Sequence, residues 1–307
     1  MKKCDLAVIG AGPAGLSAAL YAGRRKARVL VFEEKMAGGT VNITPAIENY
    51  PGYKKISGVE LAQKMREQAE AVESVEIVSK EVVSASGKHP EFVLEAGDGE
   101  KYSAKAIVLA TGAEHRKLGV PGEKEFAGKG VAYCATCDAP LFEGKAVAVI
   151  GGGNTAFNSA LMISGIVKKL FLVHRREGFR AEQVLVERLK QKENVEFVLN
   201  AVPTSVKGGA MVEELEYADA KTKEKKSLKV DGVFVNIGVT PVSDLAAALG
   251  AEVSEHGYVK TDLKTCKTTA EGVFAAGDVT GWWKQVIAAA AQGGLAGENA
   301  AKKALGG

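Results

Sequence analysis

An α/β fold containing two copies of one strand–helix–strand unit is predicted by two observations: an internal repeat and a glycine turn at the same place in each copy. Leu6-Ala7-Val8-Ile9 reads as a strand, followed by a glycine turn, a helix to about Gly23 and a strand from Arg28 to Phe32. Val147 to Ile150, a glycine turn, a helix and Leu170 to Val173 repeat that order. Laid over one another, the copies put Gly10 on Gly151, Gly12 on Gly153 and Gly15 on Ala156. Two Rossmann-like, dinucleotide-binding units in one chain are therefore expected. Hydrophobic residues make up 46% and charged residues 25% of the 307 positions. That length suits about two domains of 100–200 residues each.

The charge balance is nearly even, with 40 basic and 37 acidic residues and a net charge of +3. Such a small excess argues against nucleic acid or a membrane surface as partner. Asp5 interrupts the apolar stretch after Met1-Lys2-Lys3, which otherwise resembles a secretory signal. No apolar run approaches the roughly 20 residues that span a bilayer. Four cysteines are too few for a disulfide-stapled secreted fold. The expected location is the cytoplasm. The 36 glycines, about 12% against a usual ~7%, imply many tight turns or close backbone approaches.

Between and beyond the two units the pattern is plainer. Gly58 to Val72 has helical periodicity, while Val75 to Ser84, Glu91 to Glu95 and Ala106 to Leu109 read as strands. Ala181 to Gln191 reads as a helix, and Val195 to Leu199 and Val230 to Val235 as strands. The basic stretch Lys221 to Lys229 is expected to be a solvated hairpin turn. After Ala275-Ala276-Gly277-Asp278, the Ala-rich run Val286 to Leu305 is helical. Glycine-rich segments near Gly112 and Gly238 are the candidate hinges.

The first loop, Gly10-Ala11-Gly12-Pro13-Ala14-Gly15, follows a strand and opens a helix. Gly10 permits the tight turn, Gly12 lets backbone approach a pyrophosphate, and Gly15 lets helix pack on strand. The helix N-terminus adds unpaired N–H groups and a partial positive charge. Glu33 ends the next strand, where a carboxylate accepts hydrogen bonds from a ribose 2′-hydroxyl. The second loop, Gly151-Gly152-Gly153-Asn154-Thr155-Ala156, has the same context. In the overlay His174 falls on Glu33 and Arg175 on Glu34, with Arg176 and Arg180 following. Guanidinium groups bind phosphate through bidentate, charge-assisted hydrogen bonds, so a 2′-phosphate is favoured and NADPH is expected rather than NADH.

Cys134-Ala135-Thr136-Cys137 is a C-x-x-C pair. A zinc site needs two further ligands, and neither the isolated Cys4 and Cys266 nor the four histidines have ligand spacing. An inert buried pair is the other bland alternative. Two thiols at this spacing close a small ring and exchange disulfides readily, which favours a redox role. Asp138 follows directly; a carboxylate there disfavours thiolate, so a general acid–base role suits it better than activating sulfur, with an ordinary turn aspartate as the alternative. Cys4 and Cys266 are expected to be structural. Trp282-Trp283 either cover a flavin face or pack as ordinary aromatics.

Taken together these motifs resemble the low-molecular-weight thioredoxin reductases, of the class II pyridine nucleotide-disulfide oxidoreductases, across essentially the whole chain. The matching elements also include Gly38-Gly39, Glu48-Asn49-Tyr50-Pro51-Gly52, Ala110-Thr111-Gly112, Phe179-Arg180-Ala181 and Gly277-Asp278-Val279 with Gln285. The resemblance implies three-layer ββα domains: an FAD domain from residues 1–112 and 245–307, and an inserted NADPH domain from 113–244 carrying the cysteines. It implies a homodimer that reduces the disulfide of thioredoxin, with one domain rotating on the other. Asp278 would bind the FAD ribityl chain, and Lys284, Gln285 and Val286 would lie near the isoalloxazine. Gly10, Gly12, Pro13, Ala14, Gly15, Glu33, Glu34, Gly39, Thr40, Asn49, Val82, Ala110, Thr111, Gly112 and Gly277 would complete the FAD contacts. Gly153, Asn154, Thr155, His174, Arg175, Arg176, Arg180 and Gly238 would serve NADPH. Cys137 would face the flavin, Cys134 would attack thioredoxin, and Asp138 would complete the catalytic set; no metal is implied. The chain departs from the family pattern at Thr40, usually Gln, at Lys284, usually Arg, and at Asn158 and Ser159, usually acidic. A reductant other than NADPH, or a glutaredoxin-like or peroxiredoxin partner, is the alternative within this reading. A flavin NADPH oxidase or ferredoxin–NADP reductase, or a non-enzymatic redox sensor, are the rivals outside it.

Overall fold

The computed structural model describes residues 1–44 and 47–306, and the chain divides into two compact units. One comprises Met1–Asn42, Glu48–Glu114 and Thr240–Gly307; the other comprises Ile43–Ile47 and His115–Val239.

The first unit opens with the expected repeat: β1 (Lys2–Ile9), α1 (Pro13–Arg24) and β2 (Val29–Phe32), then α2 (Gly58–Glu70) and β3 (Val75–Val78). β4 (Val82–Lys88), β5 (Glu91–Ala96) and β6 (Lys101–Leu109) follow. The sheet runs β3-β2-β1-β6 in parallel, and β6 also pairs antiparallel with β5 and onward to β4. The single strand expected over Val75 to Ser84 is therefore two. The break falls at Ser79-Lys80-Glu81, where Lys80 turns out to meet Asp98 and Glu100 at the surface. An ammonium that keeps its solvent there cannot continue a buried strand.

The chain passes through β7 (Ala113–His115) into the second unit: β8 (Val131–Ala132), the one-turn helix α3 (Ala135–Asp138), β9 (Ala146–Ile150), α4 (Asn154–Ser164) and β10 (Lys169–Val173). α5 (Gln183–Lys190), β11 (Val195–Val198), β12 (Ala201–Gly208), β13 (Val212–Asp219), β14 (Lys225–Lys229) and β15 (Gly232–Val235) complete it. A parallel sheet ordered β11-β10-β9-β15-β8 carries helices on one face, around Phe157, Ile163 and Leu189. The antiparallel meander β12-β13-β14 packs on the other through Val206, Val212 and Leu215. Only part of the basic stretch is turn. Asp219 accepts the N–H groups of Lys221 and Thr222, and Lys225–Lys229 then forms a strand whose lysines 226 and 229 pair with Glu224 and Glu214.

Back in the first unit come β16 (Val239–Pro241), α6 (Asp244–Ala248), β17 (Val273–Ala275) and α7 (Val286–Ala304). β17 extends the parallel sheet beside the C-terminal half of β6. One core lies between this sheet and α1 and α7, the other between it and β4–β5, so this unit also has three layers. The high glycine content has a use here. A Cβ on Gly293 would lie 2.0 Å from the Ala14 carbonyl oxygen and one on Gly297 2.1 Å from that of Ala18, so only glycine lets α7 approach α1 this closely. Among the described residues no helix is long and apolar enough to cross a membrane.

Candidate active site

The first loop is closed by contact and opened by absence. A Cβ at Gly10 would sit 2.3 Å from the Ala110 carbonyl oxygen, and one at Gly15 1.8 Å from that of Gly10. Gly12, the N-cap of α1, faces free space instead: a Cβ there meets no non-neighbouring atom within 4 Å. Pro13 takes the first helical position, where its missing N–H costs nothing, and Ala14 follows it. Gly39 lies close, its Cβ position 3.5 Å from Gly12 Cα, with Thr40 exposed beside it. The Glu33 carboxylate accepts the Ala11 N–H at 3.0 Å and the Lys35 N–H at 3.0 Å, while Glu34 is exposed.

Three distant segments join this unit's site residues. Asn49 Nδ2 donates to Gln285 Oε1 at 3.1 Å across 236 positions. The Thr111 hydroxyl donates to the Val242 carbonyl, and Gly112 accepts the Val242 N–H at 3.1 Å. Asp278 follows Gly277, whose φ is +82°. Burial pushes its carboxyl upward and the Lys284 ammonium opposes that; no side chain donates to it among the described residues. Lys284 Nζ lies 4.9 Å from the Tyr258 ring centroid, Val286 starts α7, and Val82 is the buried first residue of β4. An open helix N-terminus together with a half-buried carboxylate to which no side chain donates among the described residues fits a dinucleotide carrying hydroxyl groups.

The second loop repeats the opening but not the charge. Gly153 caps α4 and, like Gly12, faces free space. The His174 ring occupies the position where a Cβ on Gly152 would fall, 2.2 Å from Cε1, and its Nε2 bonds the Gly178 carbonyl at 3.2 Å. Burial, with help from Arg175, Arg176 and Arg180, lowers the imidazole pKa, so His174 is a neutral packing group beneath the loop. Arg175, Arg176 and Arg180 are exposed, no acidic side chain pairs with them among the described residues, and the Arg180 N–H donates to the Gly152 carbonyl at 2.8 Å. Asn154 is engaged within the chain, exchanging hydrogen bonds with Glu182 at 2.8 Å each, whereas Thr155 is exposed. Gly238, at φ +113°, accepts the Arg116 N–H at 3.0 Å. This donor set fits a phosphorylated dinucleotide.

Cys134 and Cys137 form a disulfide at the start of α3, with Cα atoms 5.3 Å apart. Cys134 Sγ also accepts the Cys137 N–H at 3.3 Å. Asp138, 8% exposed, is buried behind them, and burial raises its pKa to about 7. Its Oδ1 has no donor among the described residues. An ordinary turn aspartate would be solvated; leaving one oxygen of this carboxyl buried without a donor costs about 1–3 kcal/mol. Cys4 and Cys266 are buried thiols, pushed up to about 12 and about 11 by desolvation. Trp282 and Trp283 are exposed, so they are not core aromatics. Among the described residues no three His, Cys, Asp or Glu side chains cluster to hold a metal.

The family described as pyridine nucleotide-disulphide oxidoreductase matches residues 4–293. Over 299 residues the chain is 42% identical to the thioredoxin reductase of Treponema pallidum, covering 97% of this chain and 96% of that one. The chain belongs to the thioredoxin reductase family. A bifunctional thioredoxin reductase/thioredoxin of Mycobacterium leprae is 40% identical over 94% of the chain, which spans 63% of that longer protein. Among solved structures, thioredoxin reductase from Streptococcus pyogenes superposes with a TM-score of 0.92 at 35% identity, covering 99% of both chains.

Membership in this reductase family does not exhaust the polar chemistry near the sites. Gln292, buried midway along α7, accepts the Gly277 N–H at 2.9 Å and the Thr280 hydroxyl at 3.3 Å, fixing the turn that carries Asp278. Glu123 and Asn236 are buried in the second unit. The sequence signal for Gln292 was a lone polar residue within Ala291-Gln292-Gly293; Glu123 and Asn236 gave none.

Proposed function

We propose that this chain is an FAD-dependent thioredoxin-disulfide reductase, passing two electrons from NADPH through FAD to the Cys134–Cys137 disulfide and on to oxidised thioredoxin. The observation that carries it is the disulfide itself, set in the unit whose second strand end carries exposed arginines with no acidic partner among the described residues, and followed by a buried aspartate whose pKa burial raises to about 7. When bound, FAD takes hydride from NADPH and supplies the electron pair that opens the disulfide.

Gly12 and the start of α1 receive the FAD pyrophosphate, Glu33 the ribose hydroxyls, and Asp278 the ribityl chain; Lys284, Gln285 and Asn49 border the ring. Gly153 and α4 receive the NADPH pyrophosphate, and Arg175, Arg176 and Arg180 its 2′-phosphate. Opening the disulfide consumes two electrons and two protons. Cys137 is the sulfur that takes the electron pair, and Asp138, protonated near neutral pH, delivers a proton to the sulfur released. Asp138 then takes that proton back from Cys134, whose thiolate attacks the thioredoxin disulfide to give a mixed disulfide, and the proton passes to the thioredoxin sulfur that leaves as a thiol. Cys137 displaces the second thioredoxin thiol and restores the Cys134–Cys137 bridge. A cytoplasmic homodimer is the form we infer for the working enzyme, on the strength of the family.

The test is steady-state NADPH oxidation with oxidised thioredoxin as acceptor. The wild type turns over; Cys134→Ser keeps its yellow colour and loses thioredoxin-dependent turnover by at least about a thousandfold, as expected for a lost nucleophile. Unchanged turnover in Cys134→Ser would remove the dithiol from the pathway.

A further inference from the structure

Side chains outside every glycine and cysteine motif converge on Tyr133, the position just before Cys134. The Tyr133 hydroxyl donates to Glu123 Oε1 at 3.0 Å. The same carboxylate, 4% exposed, accepts the Leu118 N–H at 2.9 Å and the Gly119 N–H at 2.8 Å. Asn236 Nδ2 donates to the Tyr133 carbonyl at 3.4 Å. Asn236 is 9% exposed and is tied to β9, its N–H donating to the Ile150 carbonyl at 2.8 Å. The Tyr133 ring is contacted as well, with Lys117 Nζ 3.9 Å from its centroid and the His115 ring at 5.3 Å. Tyr133 is thus gripped at ring, hydroxyl and carbonyl, and the next residue carries half of the disulfide.

A core built for stability alone would not need this arrangement. Replacing buried ionic and polar groups with packed apolar ones of similar volume is often neutral or stabilising, so a retained network points to positioning. Two buried side-chain oxygens lack a donor among the described residues, Asp138 Oδ1 and Asn236 Oδ1. They belong to residues bracketing this same segment: one follows Cys137, the other binds the residue before Cys134.

We propose that Glu123, Tyr133 and Asn236 form a mount that holds Cys134 at bridging distance from Cys137, making them positioning residues for the dithiol. The inference rests on the reading above that this bridge is the redox group. Disulfide closure requires Cα atoms roughly 4.4–6.8 Å apart, and the observed 5.3 Å falls within that window. Fixing one end of the C-x-x-C segment raises the effective concentration of one thiol at the other and favours the bridge over the open dithiol. Loosening the mount shifts the pair toward the dithiol.

The experiment equilibrates full-length, FAD-loaded protein anaerobically in glutathione redox buffers and counts thiols at each ratio. Tyr133→Phe keeps the ring and removes one hydrogen bond; the expected shift toward dithiol is about threefold in the equilibrium constant, in line with one such bond. Tyr133→Phe with Asn236→Ala should reach about tenfold, or about 30 mV for this two-electron couple. Flavin content and NADPH affinity stay at wild-type values, which separates a moved potential from general damage. Wild-type equilibria in Tyr133→Phe overturn the mount, and that variant decides alone if the double variant does not fold. Because glutathione replaces NADPH and thioredoxin, a wild type that titrates here yet ignores NADPH would defeat the functional reading and leave the mount standing.

Discussion

In the first unit, Gly12 opens α1 onto free space and the neighbouring strand end carries Glu33, whose carboxylate holds the Ala11 N–H at 3.0 Å. In the second, Gly153 opens α4 onto free space and the strand end carries His174, Arg175 and Arg176. The backbone cradle repeats while the side chains beside it reverse their charge. On the proposed function, phosphate binding is a property of turn geometry, and the choice of nucleotide belongs to two or three residues at a strand end. The half-buried Asp278 and the buried Asp138 diverge in the same way. Asp278 has Lys284 to oppose its desolvation, whereas burial raises Asp138 to about 7 against only a backbone hydrogen bond from Cys134.

That second contrast yields the largest expected effect. Asp138→Asn should lower thioredoxin-dependent turnover by about a hundredfold, the low end for a lost general acid, and erase the decline in wild-type rate as pH rises through about 7. Stability follows the same proton. Between about pH 4 and pH 7 the native state keeps a proton that the unfolded chain releases, so this residue's contribution to stability falls as pH rises. Thermal melts across that range should show a flatter profile for Asp138→Asn; parallel profiles would remove the buried proton.

Next in size is the arginine set. Arg175→Ala with Arg176→Ala should raise the Michaelis constant for NADPH by about 10- to 100-fold, the worth of charge-assisted bonds to phosphate, and change that for NADH less than about twofold. Equal changes would mean the second strand end does not read the 2′-phosphate. Smaller still, Glu33→Ala should weaken FAD binding by about five- to tenfold, measured by flavin release, and leave NADPH binding untouched. An effect on both nucleotides would erase the distinction between the loops.

The parts legible in the sequence were those whose chemistry is local. Glycines at fixed offsets between strand and helix, two cysteines three apart, and arginines at a strand end each declare themselves within a few residues. The antiparallel meander of Ala201–Gly208 and Val212–Asp219 did not, because its strands are half-solvated and mix lysine and glutamate with the inward Val206, Val212 and Leu215. Nor did the break at Lys80, which depends on acids some twenty residues away. Asn154 matched its motif, yet its side chain is spent on Glu182, a partner no local pattern shows. Glu123, Asn236 and Gln292 were invisible for a related reason: each matters through burial and a bond to a distant backbone group, and a polar residue destined for the interior looks like any other polar residue until the chain folds.

The most direct measurement counts thiols. Oxidised, FAD-loaded protein is mixed anaerobically with excess NADPH, quenched in denaturing alkylating reagent, and compared with an untreated sample. Two new thiols should appear, at Cys134 and Cys137, while Cys4 and Cys266 are labelled equally in both samples. Bleached flavin with no gain at positions 134 and 137 would contradict the account.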